Sequence, residues 1–362
     1  MDHRAKVLPL MTAWGYRGEM IGDIRAVLDV YRIETVNGVK NLKWTRHAEA
    51  KLEFILSALN YLTANGFNLL RPPIPTVSGP PFLVAEGEHY LLSDWIEGEK
   101  ADFTSPSQLA GSCRTLALFH QASRGYRPPK DNHIRSRWGS MLNSLRMRCA
   151  ELEALSLRHL KPATGQTAFD RLVGEESQYY LRLSQTALAL LDRSKYEELN
   201  LEMAVKGGLC HGDVAARNFI ITPAGDVCLI DFDSMLQDLP LIDLWKLYRR
   251  VMKTFKWDFA LGLGMLEAYE SINPLSASEL EVLLALLSFP QKFWRLANRY
   301  YGGRYRVDEA RFHRKLVKYT GQSQAHALFL SRFARLCQTR GAITPQTAAS
   351  LPEPPAAPDP GK

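Results

Sequence analysis

The carboxylates of Asp213, Asp231 and Asp233, an amide and an imidazole stand together in one stretch, residues 209–234, LCHGDVAARNFIITPAGDVCLIDFDS. His211-Gly212-Asp213 ends one short apolar run, and Asn218 follows Asp213 by five residues. Asp231-Phe232-Asp233 ends a second run, Val227-Cys228-Leu229-Ile230. Between them, Phe219-Ile220-Ile221 and then Thr-Pro-Ala-Gly-Asp read as a strand and a turn. The stretch therefore predicts a loop followed by a hairpin. The loop carries a base and an amide, and the second strand delivers carboxylates beside them. Phosphoryl transfer from a nucleotide needs such a set. One carboxylate accepts the proton of the attacking hydroxyl. An amide oxygen and a second carboxylate hold Mg²⁺, which takes hard oxygen ligands and neutralises charge on the phosphates. A polar turn capping two strands would account for either motif alone, but not for both in this order.

The Asp213-to-Asn218 spacing equals that of the kinase catalytic loop H-R-D-x-x-x-x-N, and Asp231-Phe232 stands where D-F-G would. Gly212 replaces the Arg of the first motif and Asp233 the Gly of the second. With both changes the stretch resembles the aminoglycoside-phosphotransferase superfamily of small-molecule kinases. The resemblance implies roles. Asp213 is the catalytic base, Asn218 and Asp231 bind Mg²⁺, Asp233 assists the metal or braces the loop, and His211 holds the loop by hydrogen bonds.

Other elements must position this core. Residues 29–45, DVYRIETVNGVKNLKWT, read as a hairpin with Asn37-Gly38 at the turn. Lys43 lies on its return strand, where a kinase carries the lysine that grips the nucleotide phosphates. A helix from 48 to 64 follows, with Leu52, Ile55, Leu59 and Leu62 at helical spacing. It offers Glu53, or Glu49 on the same face, as partner for Lys43. No glycine-rich phosphate loop precedes the hairpin, only Ile21-Gly22-Asp23, so the loop is located by order alone. Two strands near 81–85 and 89–96 come next. The second ends in YLLSDWIEGE, which resembles the superfamily strand running into the interlobe hinge. The backbone of Ser93, Asp94, Trp95 and Ile96 would meet the adenine edge.

The remainder predicts helices. Residues 106–123 end in LALFHQAS, with His120 in a structural role. Residues 125–200 are helical with a break at 161–165, and 127–148 hold six cations (Arg127, Lys130, Arg135, Arg137, Arg146, Arg148) against Asp131. These read either as an acceptor surface for an acidic substrate or as a solvated face. Asp243 falls in the first turn of a helix, where a carboxylate meets unpaired N–H groups; the resemblance makes it a brace for the catalytic loop. Helices follow at 243–255, 258–270, 277–289, 290–300 and 308–338. Six prolines and no aromatic residue in 343–362 predict a disordered tail.

Composition is that of an ordinary globular chain, with 362 residues, 46% of them apolar and 23% charged, enough for a sizeable core. A net charge of +7 favours acidic partners such as nucleotide. No zinc-finger spacing, RNP motif or long basic run points to nucleic acid. The five cysteines are scattered, which predicts buried reduced thiols rather than a disulfide framework. The N-terminus is no signal peptide, and no apolar run reaches membrane-spanning length.

Taken together, YRIETVNGVKNLKW, the helix ending YLTANGF, YLLSDWIEGE, LALFH, HGDVAARNFII, IDFDS, the Leu-Pro-Leu-Ile-Asp-Leu helix and FPQKFWRLANRYY resemble the spore-coat CotS family, a branch of that superfamily. The similarity covers about residues 15–335. It implies an α+β, two-lobed protein-kinase-like fold with an antiparallel-sheet N-lobe (1–96), a mostly helical C-lobe (97–340) and a tail (341–362). ATP and Mg²⁺ are the expected cofactors, and the reaction is phosphorylation of a hydroxyl on a small molecule, saccharide or coat protein. Origin in the mother-cell cytoplasm and deposition on the spore coat follow from the same resemblance. Two alternatives stand: a catalytically weak or inactive kinase-fold component of the coat, and an aminoglycoside- or choline-type kinase. The second ranks lower, because a cationic substrate would call for acids where 125–200 is basic.

Overall fold

The computed structural model describes residues 3–129, 132, 135–158, 165–302 and 308–353. The chain divides into two compact units, residues 1–136 with 206–237, and residues 137–205 with 238–362. The first contains an antiparallel sheet and the second is helical, an α+β architecture. Residues 97–136 and 206–237, expected with the helical lobe, group with the sheet in the first unit.

In the first unit, α1 (His3–Met11) precedes β1 (Ile21–Val27), β2 (Val30–Thr35) and β3 (Gly38–Thr45). Next come α2 (Glu49–Ala64), β4 (Leu83–Ala85) and β5 (Glu88–Asp94). These strands form one sheet in the order β1-β2-β3-β5-β4. Period-two alternation gives the sheet two different faces. Leu42 on β3 and Tyr90 and Leu92 on β5 join a buried cluster with Val7, Met11, Tyr31 and Ile33, so one face is closed by α1. Lys43, Asn41 and Thr45 alternate onto the other face. The α1 segment has no clean amphipathic pattern, which is why its sequence announced neither helix nor core.

A second sheet, missed in the sequence, has the order β6-β7-β8, from β6 (Glu99–Lys100), β7 (Phe219–Ile221) and β8 (Val227–Leu229). The predicted hairpin is β7–β8. β6 pairs Glu99 with Ile221 and is too short to show periodicity. Gly98 makes the pairing feasible: its φ is +148°, and a Cβ there would lie 2.2 Å from the Ile221 carbonyl oxygen. Helix α3 (Pro106–Ala122) completes this unit.

The second unit holds α4 (Ser140–Arg158), α5 (Ala168–Arg193), most of α6 (Tyr196–Lys206), α7 (Leu241–Met252), α8 (Phe259–Glu270), α9 (Ala277–Ser288), α10 (Gln291–Tyr301), α11 (Glu309–Thr320), α12 (Ser323–Thr339) and α13 (Pro345–Ala349). Capping boxes start α5 at Thr167/Asp170 and α9 at Ser276/Glu279. The single helix expected over 308–338 is two, broken at Gly321-Gln322. Within the expected tail, Thr344 caps a short helix, α13, while residues 354–362 lie outside the described residues, as do Lys130, Asp131 and most of the expected break at 161–165. None of the five cysteines is in a disulfide, and all five are buried. Among the described residues, no helix is long and apolar enough to cross a membrane.

The sheet core should be sensitive to volume. Leu42 is fully buried, so Leu42→Ala should cost about 2–5 kcal/mol in denaturant unfolding. A loss below about 1 kcal/mol would mean that the α1 face is not packed as described.

Candidate functional site

The first unit contains a cleft of about 500 Å³, walled by β3, β5, α2 and the β7–β8 hairpin with the segment after it. Alternation on β3 aims Asn41, Lys43 and Thr45 into it, and Leu52, Ile55 and Leu59 of α2 form an apolar side. Asn218, Asp231 and Asp233 line the opposite side. The stretch singled out in the sequence thus meets the β3 lysine across one cavity.

Lys43 Nζ lies 3.0 Å from Asp231 Oδ1 and 2.8 Å from Asp233 Oδ1. Burial opposes the Lys43 charge, but the carboxylates of Asp233 and Asp231 outweigh it, and its pKa is raised. Asp233 is the mirror case. Burial pushes its pKa up, yet Lys43 and His47 pull harder, and the net shift is downward. His47 Nε2 sits 3.1 Å from Asp233 Oδ2, with Lys51 Nζ 3.0 Å from the same ring nitrogen. Asp231 adopts φ +64°, a left-handed backbone uncommon for a non-glycine residue.

The loop before the hairpin is held from several sides. The buried His211 ring is 3.0 Å from the Ile230 carbonyl through Nε2, and Nδ1 accepts from the Asp213 N–H at 3.3 Å. The Nε2–H tautomer satisfies both contacts. The Ile230 N–H donates to the Asn218 carbonyl at 2.9 Å, which fixes the loop beside the strand that leads to Asp231. Asn218 Nδ2 donates to the Asp213 carbonyl at 2.7 Å and to Asp213 Oδ2 at 3.3 Å. The Asp213 carboxylate also takes a 2.5 Å hydrogen bond from Arg217 Nη2, four residues on. Arg217 was missed in the sequence, although its spacing of four residues from Asp213 was a usable signal.

Gly212, where protein kinases carry Arg, has a steric cause. Its φ is +87°, and a Cβ would lie 2.1 Å from the Ser234 carbonyl oxygen. The chain just after Asp233 passes directly over this position and leaves no room for a side chain.

One expectation needs correction. Neither Glu53 nor Glu49 holds Lys43. Glu53 accepts from Asn132 Nδ2 at 3.0 Å, and Glu49 is exposed in the first turn of α2. The cause is helical phase: α2 turns Leu52, Ile55 and Leu59 to the cleft, and residues 49 and 53 lie off that face. The Asp94 side chain points away from the cleft and pairs with the buried Lys40, its cross-strand neighbour, at 2.5 Å. The Trp95 N–H is already given to the Val39 carbonyl at 2.9 Å. By alternation, the Asp94 carbonyl then points away from β3. Ser93, Asp94, Trp95 and Ile96 all line the cleft. The turn at the cleft mouth is Leu28-Asp29 between β1 and β2, with Val27 opposite Val30. It has two residues, no glycine and one acid.

His120 is buried in α3, its ring 5.6 Å from Phe119. Asp243 is fully buried in the first turn of α7, in the second unit, with Lys246 Nζ 3.7 Å away. The cations of 127–148 do not share one task. Arg135 donates to the Met235 carbonyl, Arg146 pairs with Asp192, and Arg148 donates to Gln291.

The donor set suits a hard cation. Asn218 spends its amide nitrogen on Asp213, which leaves Oδ1 for another partner, and Asp231 and Asp233 add carboxylate oxygens. Asn41 Oδ1 is buried in the cleft wall without a hydrogen-bond partner, an acceptor ready for a ligand donor.

Two outcomes test this geometry. Gly212→Ala should destabilise by at least about 2 kcal/mol through strain and clash; a neutral result in thermal unfolding would place Ser234 elsewhere. Asp233→Asn should lower stability at neutral pH. Because the folded-state pKa of Asp233 is depressed, its contribution is present above the ordinary carboxylate value and is lost as pH falls through the folded value. The gap between wild type and variant should therefore close on acidification, and a gap independent of pH would exclude the ion pair as its cause.

Comparison with known proteins follows the same lines. A solved aminoglycoside phosphotransferase from Alicyclobacillus acidocaldarius superposes with a TM-score of 0.81 at 24% identity, covering 91% of this chain and 96% of that one. Spectinomycin phosphotransferase, solved with ADP and spectinomycin, gives 0.55 at 14% identity over 86% and 93%. These likenesses identify the fold as the two-lobed, protein-kinase-like α+β fold. Spore coat protein S of Bacillus subtilis is 28% identical over 273 residues, 75% of this chain and 77% of its own length. The model of the family described as "Spore coat putative kinase YutH" matches residues 37–333. That span is most of the sequence, and the chain belongs to this family of kinase-like spore coat proteins.

Proposed function

We propose that this protein is an ATP- and Mg²⁺-dependent phosphotransferase of the spore coat that acts on a hydroxyl group. The observation that carries the proposal is the meeting of Lys43 with Asp231 and Asp233 in a cleft that Asn218 also lines. The adenine lies against the apolar wall of Leu52, Ile55 and Leu229, with the Ser93–Ile96 backbone and the Asn41 amide oxygen at its polar edge. Lys43 neutralises the phosphates. Asn218 Oδ1, Asp231 and Asp233 hold the metal, which when bound withdraws charge from the transferring phosphoryl group. Asp213 takes the proton of the acceptor hydroxyl, and Arg217 and Asn218 hold its carboxylate in place for that transfer. His211 keeps the loop registered to Ile230. The names of the relatives favour a place on the spore coat, and the fold of phosphotransferases favours the nucleotide.

A second reading, a coat component that keeps the fold without turnover, is favoured by the short Leu28-Asp29 turn, which offers few backbone amides to phosphates. Thermal unfolding with millimolar MgATP separates the two. Wild type should gain a few degrees, Asp231→Ala should gain none, and Asp213→Asn should keep the gain while losing phosphoryl transfer. No gain in the wild type would overturn nucleotide binding, and a gain without any ATP consumption would support the structural reading.

A further inference from the structure

A kinase lysine is held by a glutamate on the neighbouring helix, and α2 presents none to Lys43. It presents Lys51 instead. This residue sits in the first turn of α2, whose N-cap Ala48 makes no side-chain cap. A cation is unfavourable at a helix start, where the macrodipole is positive. Among the described residues Lys51 forms no ion pair. Its Nζ lies 3.0 Å from Nε2 and 3.3 Å from Nδ1 of His47, and the same ring reaches Asp233 Oδ2 at 3.1 Å.

An ammonium can only donate, and an ionised carboxylate can only accept. One tautomer of the neutral ring satisfies both: the hydrogen on Nε2 faces Asp233, and the Nδ1 lone pair faces Lys51. The His47 N–H donates to the Thr45 hydroxyl oxygen at 3.2 Å, which fixes the residue just past β3. Asp233 is then held at both oxygens, by Lys43 on Oδ1 at 2.8 Å and by His47 on Oδ2. The two ends of this chain are also tied to each other by a separate route. Asn132 donates to the Ala50 carbonyl at 2.7 Å and to Glu53 Oε2 at 3.0 Å, which clamps the first turn of α2. Three residues on, Arg135 donates to the Met235 carbonyl, and its own carbonyl accepts from the Gln237 N–H, each at 2.9 Å. Those bonds clamp the segment that follows Asp233.

We propose that Lys51, acting through His47, is a positioning residue for Asp233, and that this brace does in the cleft what a helical glutamate does in other kinases: it fixes where Lys43 stands. The role rests on the reading of the cleft as a nucleotide site. Partners that orient a metal-binding carboxylate from behind typically change affinity by about tenfold or more when removed.

The test has two parts, and the first needs no ligand. In thermal unfolding of the full-length protein, Lys51→Met should lower the midpoint, and should lower it clearly less in the Asp233→Asn background. That coupling should vanish in the His47→Leu background. A direct charge attraction between Lys51 and Asp233 would survive the loss of His47, whereas a hydrogen-bonded brace would not. The second part is calorimetric titration with the magnesium complex of a non-hydrolysable ATP analogue. Lys51→Met and His47→Leu should each weaken binding by about tenfold. Lys51→Arg keeps a donor to the ring and His47→Gln keeps one to Asp233, so both should recover most of the affinity. Glu53→Gln should match wild type. No coupling, coupling that persists in the His47→Leu background, wild-type affinity in Lys51→Met and His47→Leu, or an equal loss in Glu53→Gln would overturn the brace. Absence of binding by the wild type would instead overturn the nucleotide reading, and the unfolding cycle alone would then decide the brace. Lys51→Gln replaces Lys51→Met if the latter does not fold.

Discussion

One ammonium group holds the cleft together. Lys43 is anchored on the central strand of the sheet, while Asp231 and Asp233 come from a segment 188 residues later in the chain. Two carboxylates this close repel each other unless a cation lies between them. Lys43 supplies that cation at the cost of its own desolvation, and the opposite pKa shifts of Lys43 and Asp233 record the exchange. The left-handed backbone at Asp231, the tight passage of Ser234 over Gly212 and the Asn218–Ile230 bond all set where those carboxylates stand. In many kinases a helical glutamate orients the lysine. Here the orienting acids belong to the metal segment itself, so α2 is free to present an apolar surface.

Much of this was legible in the sequence, for a definable reason. Asp213, Asn218, Asp231 and Asp233 are local in the chain, and their spacing survives folding. Lys43 follows from its place on the return strand of the hairpin, whose register the Asn37-Gly38 turn pins. Glu53 failed because helical phase relative to a cleft is set by packing, and a stripe such as Leu52-Ile55-Leu59 says only that something apolar lies opposite. The two-residue β6 and the Leu28-Asp29 turn are too short to carry a pattern.

Around Lys43, acids and bases alternate in space, from Lys51 and His47 through Asp233 to Lys43 and Asp231. This arrangement stabilises the chain as it stands.

The first unit is assembled from two separated stretches, residues 1–136 and 206–237. This has a kinetic consequence. Its sheet and α1 are complete early in synthesis, but β6 has no partner until β7 emerges, and Lys43 has no acid until the chain passes residue 233. Pairings of such long sequence separation carry a large loop-closure cost and form slowly. During synthesis the growing chain therefore passes through an interval in which the cleft has only one wall, and nucleotide-binding geometry is among the last properties the folding molecule acquires.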